Sequence, residues 1–427
     1  MRQVETLRVV DKTHYDQQYF VEVPSPNHAL ADDSVRIRTR LIGITANNLS
    51  YCLMGNVLHW WSAFPPSERA PKPYNDSTKY GITPGWGYGE VLESTIKAII
   101  PGSFIRGFLP ISAHMVDLQL QTNASVPGHF IETSSGRSKL ANLYQRYELM
   151  PLDFDPATSS AAWSAVLKVI ESGSSIARYL FPQDDRAQVH PLGDPDALGP
   201  PAKPWTEREA NIDGACIICL GSGSKTARAF LYELAKIAVS KRPSYSVVEI
   251  TSSTTGCKRY IKDLKFQHHV IGYDFGQAFP KYEKYVIINF AGRGDSFERA
   301  YDAAIRANAS AEVTCLQVGS EAKVFTADDM AKRRATAEKI QPWQMNATGI
   351  RDVVMAEVGE QVYFQDLENS FDCFIKEQGR NFDGRVLGLS LSVKHGMQGQ
   401  ESVEGVWSRL CSGQLAVDQA VVVKLDY

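Results

Sequence analysis

Residues 218–234, ICLGSGSKTARAFLYEL, carry the sharpest chemical signal in this 427-residue chain. An apolar run enters a Gly-Ser-Gly turn, and the turn opens a helix-forming stretch. Such a junction aims backbone N–H groups and the positive end of a helix at whatever lies beyond it, and a pyrophosphate is the usual occupant. Gly221 permits the tight turn and Gly223 the close approach of backbone to phosphate. The third glycine of a GxGxxG pattern is replaced by Thr226. Ser222, Ser224, Lys225 and Thr226 complete the turn, with Lys225 adding a charge. A tight strand-to-helix turn without a ligand is the plain alternative. A phosphate loop of the GxxxxGK[ST] type fails, because Ser224 stands where glycine must precede Lys225.

The next strand helps to choose the nucleotide. NAD sites end it with Asp or Glu on the adenosine ribose. Here VVEITSSTTGCKRY places Glu249 ahead of the strand end, followed by Thr251, Ser252, Ser253, Lys258 and Arg259. Hydroxyls with two cations suit a 2′-phosphate, which favours NADP(H) over NAD(H). Read otherwise, Lys258 and Arg259 are solvated helix charges. Tyr273, closing HHVIGYD, joins the candidate cofactor set; His268 and His269 read as structural residues ahead of a strand.

The elements that must position these residues follow. Residues 1–150 read mostly as strands, with DSVRIRTRLIGIT alternating and 81–120 dense in glycine, as in a small barrel or bent sheet. Residues 151–182 turn helical. Residues 183–213, rich in Pro, Asp and Gly, read as a surface insertion. From 214, strands alternate with helices, which implies a doubly wound parallel sheet. Cys216 and Cys219 form a CxxC spacing inside a strand, where residues three apart face opposite ways, so they read as buried structural thiols.

Composition narrows the class. Apolar residues make up 44% and charged residues 22%, as in a folded globular protein. The net charge of −3 argues against a nucleic-acid partner. No apolar run reaches the roughly 18 residues of a membrane span. Seven cysteines, an odd number, and an N-terminus of polar character point to a reducing cytoplasm.

The order of these segments resembles the medium-chain dehydrogenase/reductase superfamily. SVRIRTRLIGITANNL resembles its first strands and turn, ITPGWGYGEVLES its PxxxG segment, IPGSFIRGF its GDRVxG strand, and ESVEGVWSRLCSGQLAVDQAVVVKL its closing helix and strand. SGSKTA, EITSS, NFAG and FLPISAHMV also resemble a branch of unassigned function. The resemblance covers most of the chain, apart from 183–213 and 325–380. It implies a Rossmann-type sheet plus a GroES-like β-barrel: a GroES-like domain at 1–150, a dinucleotide domain at 151–340, and a C-terminal return at 341–427. It also implies that NFAG and QVGS lie under the nicotinamide, through Gly292, Val318 and Gly319. A homodimer paired through sheet edges is implied as well, unless the insertion blocks it.

Departures from the family narrow the chemistry. Where zinc alcohol dehydrogenases carry Cys and a Gly-His-Glu segment, this chain has Thr45 and Gly85-Trp86-Gly87, so the resemblance points to the zinc-free quinone and enoyl reductases. The tyrosine that follows Gly-Asn in some enoyl reductases is Val57 here, which leaves Tyr51 or Tyr88 as the acid. Tyr51 is the better candidate; its alternative is a packed aromatic. Asn47, Asn48, Trp60, Trp61 and Tyr88 are candidate substrate contacts, with Trp60, Trp61 and Phe64 equally readable as core. His395, before Gly396, is an acid–base candidate or an ordinary turn residue. The expectation is NADPH-dependent reduction of an activated C=C or C=O bond in an apolar small molecule. Two alternatives stand: a non-redox lyase, decarboxylase or cyclase on this scaffold, and an accessory protein that binds NADP without turnover.

Overall fold

The computed structural model describes residues 4–168, 172–196, 203–237, 244–252, 267–275, 279–381 and 388–425. The chain divides into two compact units: residues 1–169, 322–324 and 391–427, and residues 170–321 and 325–390. Both divisions differ from the expected 150 and 340. The helix Ser159–Leu167 packs on strands of the first unit, so the boundary moves past it. The helices Ala347–Val358 and Glu360–Asn381 remain with the second unit.

The first unit contains β1 (Val4–Asp11), β2 (Gln18–Pro24), β3 (Ser34–Ile44), β4 (Tyr80–Gly81), β5 (Pro84–Ser94), β6 (Phe104–Pro110), β7 (Val116–Thr122), β8 (His129–Glu132) and β9 (Arg146–Leu149). The ring β3-β5-β6-β9-β8-β7 closes because β3 pairs with β5 on one edge and β7 on the other. This is the GroES-like barrel. The alternation in SVRIRTR has a direct cause. Val35 and Ile37 enter the core, while the intervening arginines meet carboxylates on neighbouring segments. Arg36 reaches Glu93 and Asp117 at 2.8 Å each, Arg38 reaches Glu5 at 2.6 Å, and Arg40 reaches Glu90 at 2.6 Å. Opposite charges across strands fix the register. Inside the same unit Glu148 takes Arg106 at 3.0 Å and Lys168 at 3.2 Å.

The second unit contains β10 (Cys216–Leu220), β11 (Ser246–Ile250), β12 (Gln267–Ile271), β13 (Lys284–Asn289), β14 (Glu312–Gln317) and β15 (Trp343–Gln344). They form one parallel sheet in the order β12-β11-β10-β13-β14-β15, the doubly wound arrangement. The five residues of β10 are all buried, which is why its sequence is continuously apolar. Cys216 and Cys219 lie within it, and burial pushes both thiols up, Cys216 to about 12. His268 and His269 fall within β12 rather than before it. The chain then returns to the first unit with β16 (Ser390–His395) and β17 (Gln419–Lys424), the latter pairing with β3. Between them the helix Val403–Cys411 buries Trp407, whose indole N–H donates to the Tyr15 carbonyl at 2.8 Å.

The insertion is not a loose loop. Among its described residues, Val189 N–H donates to Tyr179 O at 2.8 Å, Pro191 O accepts from Asn346 N–H at 2.8 Å, and Trp205 stacks edge-on against Trp343 at 5.5 Å. The helix Lys225–Lys236, which begins at the glycine turn, is pinned by a buried ion pair. Arg178, from the π-helical turn Ile176–Leu180, grips Glu233 with two N–H groups at 3.0 Å and also reaches Asp366 and Ser370 at 2.8 Å.

Two outcomes follow from these networks. Arg178→Ala leaves the buried Glu233 carboxylate only Ser370 and the more distant Lys236 and should cost about 3 kcal/mol, whereas Arg178→Met/Glu233→Met should regain most of it. Denaturant midpoints of the three proteins check this. Burial, with Arg146 nearby, holds the His129 pKa down at about 4. Burial would raise Glu148, but Arg106, Lys168 and His129 outweigh it and hold it at about 2. In both cases the unfolded chain takes up the proton first as pH falls, so stability is lost on acidification. The His129 share goes between about 6.5 and 4, and the Glu148 share between about 4.5 and 2. His129→Gln should flatten the decline of the midpoint between pH 7 and 5, while a lower limb persists because Arg106 and Lys168 still face Glu148.

Candidate functional site

At the carboxyl ends of the parallel strands, three carbonyls each accept two N–H groups from the next loop. Ile250 O takes Gly221 N–H at 2.9 Å and Ser222 N–H at 3.3 Å. Leu220 O takes Phe290 at 3.0 Å and Ala291 at 3.2 Å; Asn289 O takes Val318 and Gly319, both at 3.0 Å. The glycine turn and the loops NFAG and QVGS are thereby laced side by side. Gly221 has φ +70°, and a Cβ there would lie 2.6 Å from Ala291. A Cβ on Gly319 would overlap the Phe290 carbonyl oxygen. The cradle is closed to side chains at the two points where loops touch.

The turn then starts the helix. Ser224 is its N-cap, and its hydroxyl accepts Ala227 N–H at 3.3 Å. Ser222 and Gly223 are buried, and Lys225 and Thr226 are half-buried at the first turn. The missing third glycine has a counterpart elsewhere: Gly173 on the facing segment is packed so close that a Cβ would overlap the Thr226 carbonyl oxygen. Thr251 is buried just past β11, with its N–H donating to Ile271 O at 3.1 Å, and Ser252 is exposed. Glu249 is fully buried in the sheet beside Cys219, one residue before the end of β11. Tyr273 reaches the second loop, its hydroxyl donating to Ala291 O at 3.4 Å. Ser253, Lys258 and Arg259 lie outside the described residues.

A second group of candidates lies in the first unit. Tyr51 is 4% exposed and accepts the Trp86 indole N–H at 3.0 Å. Burial raises its pKa to about 12, against hydrogen bonds to Trp86, Tyr144 and Asn47 that lower it. The phenol therefore keeps its proton at every ordinary working pH. Around it stand Trp60 at 4.8 Å, Phe108 at 5.1 Å and Tyr144 at 5.8 Å between ring centroids, all edge-on. Trp86, Phe108 and Tyr144 were missed at the sequence level; their only signal is aromatic character within strands and turns.

The other candidates are engaged elsewhere. Asn48 is buried, accepts Thr45 N–H at 2.7 Å and donates to Pro84 O at 2.9 Å, so it caps the helix Ala46–Leu53 and anchors β5. Tyr88 stacks on Phe154 at 4.6 Å. Trp61 packs over Gly55 and Gly81 with Lys12 5.4 Å above its ring. His395 is exposed at the end of β16, with its N–H on Glu401 O at 3.0 Å and Gly396 following at φ +77°. This is the turn reading of that histidine.

The closed barrel and the doubly wound sheet are the GroES-like and Rossmann-type architectures that the sequence leads one to expect. Two solved structures share them. One is CurA of Vibrio vulnificus in complex with NADPH, with a TM-score of 0.52, 9% identity and 99% of each chain covered. The other, from Bacillus thuringiensis, bears the name of an NADPH:quinone reductase, with a TM-score of 0.51, 11% identity and all of each chain covered. Among curated proteins nothing matches. The chain belongs to the family DUF2855, described as a protein of unknown function, whose sequence model matches residues 42–416. Among the described residues no helix is long and apolar enough to cross a membrane.

Gly221→Ala should destabilise the protein by about 1–3 kcal/mol, since it forces a left-handed residue to carry a Cβ against Ala291. A thermal unfolding curve measures this, and an unchanged midpoint would contradict the tight lacing described above.

Proposed function

We propose that this chain is an NADPH-dependent oxidoreductase that reduces an activated C=C or C=O bond of an apolar small molecule. The observation that carries the reading is the glycine turn laced to two further loops at the point where the strand order reverses. In a doubly wound sheet this is where a dinucleotide lies. The residues fit such a group: a 12-residue helix begins at the turn, and backbone, uncovered by Cβ atoms, faces the crowded loops. The burial of Glu249 leaves the end of β11 to Thr251 and Ser252, followed in sequence by Lys258 and Arg259. That set suits a 2′-phosphate better than a free ribose diol. The bound dinucleotide would supply hydride.

The chain's own residues would supply the rest. Trp60, Trp86 and Tyr144, backed by the fully buried Phe108, offer an apolar aromatic surface for a substrate, with Asn47 at its exposed margin. Tyr51, held protonated, offers a hydrogen bond to the oxygen on which negative charge develops. Trp86 fixes the orientation of that phenol. The CurA and quinone reductase structures agree with this reading as to fold, and the fold alone does not name a substrate.

Calorimetric titration with NADPH and NADH tests the proposal. NADPH should bind tighter, and Lys258→Ala/Arg259→Ala should remove about tenfold or more of that preference, the worth of one or two charge-assisted hydrogen bonds. Binding of neither nucleotide would sink the reading. Tyr51→Phe should leave NADPH affinity within twofold and lower turnover of an enone or quinone about 10²-fold, within the range for losing one oxyanion donor.

A further inference from the structure

Asn289 and Gln317 are the last residues of adjacent parallel strands and are partners in register. Their side chains form a relay across the two loops that follow. Gly292 N–H donates to Asn289 Oδ1 at 2.8 Å, Asn289 Nδ2 donates to Gln317 Oε1 at 3.1 Å, and Gln317 Nε2 donates to the Gly319 carbonyl oxygen. All three bonds run head to tail, so each amide polarises the next. Their orientation is fixed: turning either amide over would set two donors or two acceptors face to face. Asn289 is 8% exposed, so an unmet amide there would be costly.

We infer that the Asn289–Gln317 amide pair is a positioning device, which sets the spacing of the Gly292 and Gly319 backbone against one half of the dinucleotide. The inference rests on the dinucleotide reading above. In a sheet of this order the adenosine half lies over the second strand, here β11, and the other half falls on the opposite side of the switch point, over β13 and β14. The backbone bonds from Val318 and Gly319 to Asn289 O tie the loops at their roots. The amide relay ties them further out, at the two glycines. Each amide commits one N–H and one side of its oxygen to the relay, which ties both side chains to the loops they hold.

The substitution Gln317→Glu keeps the acceptor for Asn289 and replaces the donor to Gly319 with an oxygen. Asn289→Asp breaks the relay at its centre in the same manner. NADPH and 2′,5′-ADP, which carries the adenosine 2′-phosphate half alone, are titrated by calorimetry into each variant and the parent. Each substitution should weaken NADPH about tenfold, the loss of one buried hydrogen bond to a charged or polar partner, and leave 2′,5′-ADP within twofold. Equal weakening of both ligands, or of neither, overturns the positioning role. If the parent binds neither ligand, the dinucleotide reading itself has failed, and the role falls with it. Hydrogen exchange on the parent needs no variant: NADPH should slow the amides of Gly292 and Gly319, and 2′,5′-ADP should not. Identical protection by both ligands counts against the inference.

Discussion

The second unit depends on one repeated interaction, a strand-end carbonyl that accepts two N–H groups from the loop beside it. It occurs at Ile250, Leu220 and Asn289. A parallel sheet leaves such groups exposed wherever its strands stop, and buried ones must find partners. Here each is satisfied by the neighbouring loop. The loops then cannot move apart, and their crowding decides which residues can occupy them. Gly221 and Gly319 are demanded by that crowding before any ligand is considered. A surface built of close-set backbone is also what a phosphate or a flat ring can approach. Structural economy and ligand binding therefore ask for the same residues.

Much of this was legible in the sequence because it is local. The Gly-Ser-Gly turn joins a five-residue apolar strand to an amphipathic helix, and all three signals lie within 20 residues. The barrel arginines announced β3 by alternation. What could not be read is what depends on distant partners. Thr226 looks like a broken motif until Gly173, on another segment, supplies the missing clearance. Asn48 looks like a substrate contact until both ends of its amide are found on backbone. Glu249 reads from sequence as preceding the strand end, and it stands one residue before it, buried. The domain divisions at 150 and 340 were missed because a helix carries no mark of which sheet it will cover.

The first unit has its own organising contact, the Trp86 indole on the Tyr51 phenol. Thr45, Gly85 and Trp86 each have a structural task around that contact. Thr45 caps the helix that presents Tyr51, and Gly85 lies under the Asn48 amide. The helix Ala46–Leu53 is thus clamped to β5 at both its cap and its aromatic face. A buried phenol with a pKa near 12 is a poor proton shuttle and a durable hydrogen-bond donor. That favours stabilising a developing charge over relaying protons through the phenol itself.

The insertion brings a further consequence for the second sheet. β15 is two residues long and stands at the edge, where unpaired backbone invites another strand. Segments on both sides of residues 197–202 converge there. Pro191 O takes the N–H of Asn346 just past the strand, and Pro204 O takes the Trp343 indole at 3.3 Å. Lys203 lies 3.3 Å above the Trp343 ring, and Gly193 meets Gly349 backbone to backbone. A stretch that composition marks as a surface insertion is tied through its proline carbonyls and Trp205 to the strand it flanks. Proline suits this use, since it has no N–H to leave unpaired and its carbonyl remains free to accept.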